Sequence, residues 1–142
     1  VTIPKIKRIC LVLGSSCEYE GEFLNKKDKE VEIYHNLSAQ KMLGLMQSCE
    51  LAIVPASSIS VEVMAAKSFI LTGITAVNQS NIHDELVKYD FVSSVGDFEK
   101  CSTNQIKKNI FDILETVNQK NKVVNFVQIN SKENLKLLFE NL

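Results

Sequence analysis

With 142 residues, 45% of them hydrophobic and 23% charged, the chain is long enough for one domain that buries about two-thirds of its unfolded surface. Its net charge of −1 leaves no basic footprint, which argues against nucleic acid as a partner. No apolar run approaches the ~20 residues of a membrane helix, and no leader peptide is visible. The sequence opens on Val1 rather than Met, in keeping with a piece of a longer protein.

In chain order, Ile9 to Leu13 (ICLVL) is a continuous apolar run closed by Gly14-Ser15-Ser16, which predicts a buried parallel strand and its turn. Cys17 to Glu30 is polar and charged and predicts a helix or loop over one face. Val31 to His35 alternates apolar and polar residues and predicts a second strand near an edge. Ser38 can cap the next helix, whose buried face is expected at Ala39, Met42, Leu43 and Met46. Leu51 to Val54 predicts a third strand. Ser58 or Ser60 can then cap a helix from Val61 to about Lys67. Phe69 to Ile74 predicts a fourth strand, and Asn78 to Tyr89 a helix with Ile82, Leu86 and Tyr89 on one face. Phe91 to Val95 predicts a short fifth strand closed by Gly96-Asp97. A long amphipathic helix follows, with Ile106, Ile110, Ile113, Leu114 and Val117 facing inward, and a last helix carries Leu135, Leu138, Phe139 and Leu142. Val123 to Ile129 stays open between strand and helix. No strand is expected after Val95 for the last two helices to cross back to. Alternating strands and helices predict an α/β, Rossmann-like parallel sheet of about five strands with helices on both faces.

The four cysteines, Cys10, Cys17, Cys49 and Cys101, form no C-x-x-C pair and match no zinc spacing. They are expected to be reduced structural thiols in a cytoplasmic protein, with Cys10 a small buried hydrophobe in its strand. The two histidines, His35 and His83, lie far apart in sequence, so no metal site and no cofactor is expected. His83 falls on a polar helix face and is read as a surface residue; His35 ends a strand on the ligand edge and is read as structural. Lys26, Lys27 and Lys29 form a solvated charge cluster. Gly14-Ser15-Ser16, with one glycine and no Lys-Thr, is not a P-loop.

Leu51 to Gln79 carries the strongest functional signal. An apolar strand runs into Pro55-Ala56-Ser57-Ser58, a helix carries Glu62, and a second strand leads to Asn78-Gln79. In a parallel sheet both loops open outside the carboxyl ends of the strands, where such folds take ligands. Small side chains at the helix mouth let an anion reach its free N–H groups, which suggests a phosphate-bearing ligand.

LVLGSS (Leu11 to Ser16), HNLSAQKMLGLMQSCELAIVPASS (His35 to Ser58), SSISVE and AVNQ resemble, in order and spacing, the C-terminal nucleotide-binding half of the two-domain glycosyltransferase-B superfamily. The nearest likeness is to the pseudaminic acid pathway UDP-sugar hydrolases of the surface-polysaccharide biosynthesis group. SSISVE looks like that group's G-S-T-x-x-E. The resemblance implies that residues 1–142 are a single nucleotide-sugar-binding domain from a two-domain enzyme whose N-terminal domain is missing. It implies a UDP or UDP-sugar ligand, with the nucleobase against Leu37, Ser38 and Met42. The pyrophosphate would lie at Ser57, Ser58 and Ile59, the ribose hydroxyls on Glu62, and the sugar near Asn78 and Gln79. A carboxylate can accept both vicinal hydroxyls at once, and side-chain amides both donate and accept.

The chain departs from the pattern at Ser57, where the group has Gly, and at Lys67-Ser68-Phe69, where it has Gly-x-Pro. The group's first strand, with its Gly-Gly-Ser-Asp loop, has no counterpart ahead of Ile9, and its catalytic histidine belongs to the missing half. No catalytic residue is therefore expected here, and the chain alone is expected to be inactive. The implied parent enzyme cleaves the sugar–diphosphate bond, by hydrolysis or glycosyl transfer. Local readings stand beside these roles. Glu62 can be a solvated first-turn carboxylate, Ser57 and Ser58 turn and cap residues, Asn78 a helix cap, and Met42 with Met46 core. The departures also leave open a non-catalytic interaction or assembly domain that keeps the fold without the ligand. A flavodoxin-like regulatory domain ranks last.

Overall fold

The computed structural model of the protein describes residues 6–17, 30–118 and 125–129. β1 (Arg8–Leu13) and β3 (Leu51–Pro55) are apolar at nearly every position because both of their faces are covered. β2 (Glu30–His35) alternates in exposure, as an edge strand does. β4 (Phe69–Ile74) lies beside β3, and β5 (Val92–Asp97) closes the other edge. β6 (Asn125–Ile129) joins the β1–β2 pair to the β3–β4–β5 triplet, giving one parallel sheet in the order β2-β1-β6-β3-β4-β5.

Two expectations are corrected by β6. The sheet has six strands rather than about five, and a strand does follow Val95. NFVQI takes the extended form because it pairs on both sides. Phe126 aligns with Ile9 and Leu51, Val127 with Cys10 and Ala52, and Gln128 with Leu11 and Ile53. The helix or loop expected over Cys17 to Glu30 falls, between its two end residues, outside the described residues, as does the last helix.

Helices cover both faces. On one, α1 (Ala39–Ser48) and α2 (Ser58–Ala65) close a core of Cys10, Val12, Leu45, Met46, Cys49, Ala52, Val54, Val63 and Ile70. α3 (Ser80–Leu86) lies beside α2. On the other face α4 (Thr103–Asn118) packs Ile106, Ile110, Ile113, Leu114 and Val117 onto Ile9, Leu11, Leu13, Leu51, Ile53 and Leu71, the inward face expected of it.

Some boundaries and faces differ from expectation. Leu43 is 43% exposed, whereas Leu45 is buried. The stripe that faces the sheet is Met42, Leu45, Met46 and Cys49, an i, i+3, i+4, i+7 set that continues one residue past the helix. α2 starts at Ser58 rather than Val61, with Ser57 as its cap residue. The helix expected from Asn78 is a 3-10 turn (Val77–Gln79) followed by α3. Of its expected inward face only Leu86 is buried, while Ile82 and Tyr89 stay exposed. β5 runs through Gly96, whose φ of 76° accompanies a register shift between Thr72 and Ile74. Gly73 makes the irregular pairing possible, since a Cβ there would stand 2.9 Å from the Phe98 ring and 3.0 Å from the Gly96 carbonyl oxygen. Among the described residues no helix is long and apolar enough to cross a membrane.

Candidate functional site

The strand order sets the site. From β3 the chain moves outward through β4 to β5, and from β1 outward to β2, so the two progressions diverge at the slot that β6 fills. The arrangement is broadly Rossmann-like, except that the strand at the divergence comes last in the chain rather than first; open parallel sheets of this kind take ligands outside the carboxyl ends of the strands where the order reverses. Among the loops that emerge on this edge are those after β2, β3 and β4.

After β3, the Ala56 N–H donates to the Gly73 carbonyl at 2.9 Å, which extends the ladder by one residue and holds the mouth of α2 against β4. Ser57 then sits at φ −141° and ψ −170°, extended backbone open to any residue. The Gly-to-Ser departure therefore carries no backbone strain. The Ser57 side chain makes no capping bond, while its carbonyl accepts from the Ser60 N–H at 3.0 Å and the Ser60 hydroxyl at 2.5 Å. The Ser60 N–H is thus taken by the backbone, and no Ser57 side-chain bond closes the Ser58 and Ile59 N–H groups ahead of it. Ser58 and Glu62, four residues apart, share the exposed face of α2. Ile59, by contrast, packs half-buried against the α1–α2 core.

After β2, Asn36 turns the chain at φ 50°, a left-handed conformation that asparagine tolerates. The Ser38 hydroxyl then accepts from the Lys41 N–H at 3.3 Å and caps α1 as expected. Leu37 and Met42 pack half-buried against the same core as Ile59. Leu37 also lines a groove of about 480 Å³ with Tyr34, Lys41, Gly44, Leu45 and Ser48. This loop stands three strand positions from α2, roughly 14 Å at the usual inter-strand spacing. After β4, Asn78 is exposed, but Gln79 is partly committed. Its side-chain oxygen accepts from the Thr75 N–H at 2.9 Å and the Thr75 hydroxyl at 3.2 Å, leaving its amide N–H groups to face outward.

The fold thus gathers Ser57, Ser58 and Glu62 at one helix mouth, with Asn78 and Gln79 on the adjacent loop. It sets Leu37, Ser38 and Met42 apart across the edge. His35 is exposed at the end of β2. His83 corrects its expectation: its side chain is only 18% exposed, and Nε2 lies 2.6 Å from the Ser94 hydroxyl, tying α3 to β5. An i-to-i+4 reading of the α3 surface misses that bond because Ser94 arrives from another element. Among the described residues no cluster of three or more His, Cys, Asp or Glu side chains could hold a metal ion. No family model, no curated protein and no solved structure matches this chain.

Proposed function

We propose that this chain is a nucleotide-sugar-binding domain, the nucleoside diphosphate half of an enzyme of polysaccharide or nonulosonic-acid biosynthesis that cleaves a sugar–diphosphate bond. The observation that carries the reading is the uncapped mouth of α2 at the divergence of the strand order, with Glu62 one turn inside. The Ser58 and Ile59 N–H groups and the positive end of the helix dipole suit a diphosphate, and they would stabilise the departing nucleoside diphosphate without reorganising. Glu62 makes no hydrogen bond or ion pair among the described residues, which leaves both carboxylate oxygens for ribose hydroxyls. The catalytic base and the sugar-specific pocket belong to a partner domain, and this chain alone binds nucleotide weakly and turns over no nucleotide sugar. The test is an NMR titration with UDP and with a UDP-sugar. Amide shifts centred on Ser57 to Glu62 and weakened about tenfold by Glu62→Ala, the loss of a charge-assisted bidentate contact, support the reading. No response at millimolar UDP sinks it.

A second reading has its own observation. Val61 and Met64 of α2 face Asn81, Ile82, Glu85, Leu86 and Tyr89 across a groove of about 440 Å³, with Val61, Ile82 and Tyr89 exposed. Such a patch suits a non-catalytic assembly domain. A chain silent to nucleotide but self-associating, with the association lost in Val61→Asp, supports this reading over the first.

A further inference from the structure

Where α3 meets β5, the chain assembles a cluster that the nucleotide reading does not use. His83 of α3 sits at its centre: Nε2 lies 2.6 Å from the Ser94 hydroxyl, and Nδ1 lies 3.2 Å from Asp84 Oδ1. A carboxylate only accepts, so the Nδ1 proton goes to Asp84 and Nε2 presents its lone pair. The Ser94 hydroxyl therefore donates to Nε2, while its oxygen accepts from the Gly96 N–H at 2.9 Å. Both the hydroxyl proton and one lone pair are thus fixed in direction. Serine, imidazole and carboxylate stand in line, the arrangement that turns a hydroxyl into a nucleophile.

The surroundings leave this serine within reach. Ser94 is half-buried, and the His83 side chain is 18% exposed. Gly96 is exposed, and a Cβ built on it would meet nothing within 4 Å, so the approach to its N–H is open. The Ile70 N–H bonds to the Phe91 carbonyl, and Thr72 aligns with Ser94. That alternation turns the Ser94 N–H away from β4, toward the outer side of the strand that ends the sheet. Two N–H groups, those of Ser94 and Gly96, thus lie beside the hydroxyl oxygen.

We propose that Ser94, His83 and Asp84 form a triad that hydrolyses small carboxylic esters, with Ser94 the nucleophile, His83 the general base and Asp84 the positioning residue.

Ser94 Oγ attacks the ester carbonyl carbon as its proton passes to His83 Nε2. A C–O bond forms, the carbonyl double bond opens, and the oxygen that gains charge comes under the Gly96 and Ser94 N–H groups. The tetrahedral centre then collapses. Its bond to the alcohol oxygen breaks, and His83 hands the proton to the departing alcohol. Water attacks the acyl-serine next, giving a proton to His83, and Ser94 recovers that proton as the carboxylic acid leaves. One ester and one water give one alcohol and one acid. Asp84 keeps Nδ1 protonated and steadies the imidazolium formed in between. It is 76% exposed, and a carboxylate in water steadies that charge less than a buried one, which suits esters rather than the poorer leaving groups of amides. The acyl group is short. Val92 and Val95, the apolar residues that flank Ser94 on β5, are already packed on the two cores and leave a long acyl chain nothing to bury against.

The full chain is incubated with p-nitrophenyl acetate and, separately, with a fluorophosphonate probe whose adduct is mapped by proteolysis and mass spectrometry. Steady turnover of the ester and a single adduct, on Ser94, are expected. Ser94→Ala is expected to lower kcat/KM at least about 100-fold and to abolish the adduct. His83→Gln keeps a hydrogen-bond partner for Ser94 but offers no group to take its proton. It is expected to lose turnover to the same extent at an unchanged denaturation midpoint, which separates catalysis from the tie between α3 and β5. Asp84→Asn is expected to lower kcat about tenfold with KM unchanged. No adduct or an adduct elsewhere, turnover in Ser94→Ala equal to that of the unaltered chain, or an undiminished kcat in His83→Gln or Asp84→Asn overturns the proposal. The nucleotide titration reads other residues, so either reading can fail without the other.

Discussion

Lys67 occupies a position that most helices give to glycine. It follows α2 at φ 64°, and its N–H donates to the Met64 carbonyl at 3.0 Å, closing the helix with a left-handed residue. A β-carbon in that conformation costs energy, so Lys67→Gly is expected to stabilise the protein by about 0.5–1 kcal/mol, read as a higher denaturant midpoint at constant m. Ser68 beside it does what its type does not announce. Buried, it donates to the Met46 carbonyl at 2.9 Å and the Cys49 carbonyl at 2.8 Å, satisfying the end of α1 from another element. Cys10 and Cys49 give stability a pH dependence of a particular shape. Between about pH 7 and 9 the unfolded Cys10 thiol holds a proton that the folded one has lost, so stability rises with pH. Above 9 the unfolded Cys49 thiol ionises while the folded one does not, so stability falls again. The maximum near pH 9, seen by denaturation across pH, should flatten in Cys10→Ser/Cys49→Ser.

Elements were legible in proportion to how local their causes are. Apolar runs covered on both faces declare themselves, and β1, β3 and β4 emerge within a residue or so of expectation. The inward stripe of α4 follows from its spacing alone. α1 shows where this stops. Leu43 and Leu45 are equally apolar, and only the direction in which the helix lies on the sheet turns Leu45 in and Leu43 out. Leu45→Ala is therefore expected to cost about 2–3 kcal/mol and Leu43→Ala no more than about 0.5 kcal/mol, both measurable by chemical denaturation. The start of α2 was misread for a related reason. Serines at 57, 58 and 60 all look like caps, and the one at the cap position makes no side-chain bond. The segments expected at the carboxyl edge of the sheet do emerge there, because a strand, a small-residue loop and a helix are local signals. The Gln79–Thr75 and His83–Ser94 bonds lay beyond reach, since each depends on how a turn or a neighbouring element is placed.

At the scale of the molecule the least legible element is the most central one. Nothing in NFVQI marks it as the strand between β1 and β3; its place comes from two neighbours more than 70 positions earlier in the chain. Gln128 aligns with Leu11 on one side and Ile53 on the other. Proline there removes an N–H from the ladder in mid-sheet, so Gln128→Pro is expected to destabilise by at least about 3 kcal/mol, or to prevent folding, as followed by circular dichroism and denaturation.

That placement also bears on how the chain comes into being. A ribosome delivers β1 and β2, then β3, β4 and β5, well before Asn125–Ile129 leaves the exit tunnel. Until it does, two partial sheets carry open inner edges on β1 and β3, and an open edge is a template for any other extended chain. The nascent protein thus passes its most vulnerable interval late in synthesis, and its rescue is one short strand sliding between two waiting ones.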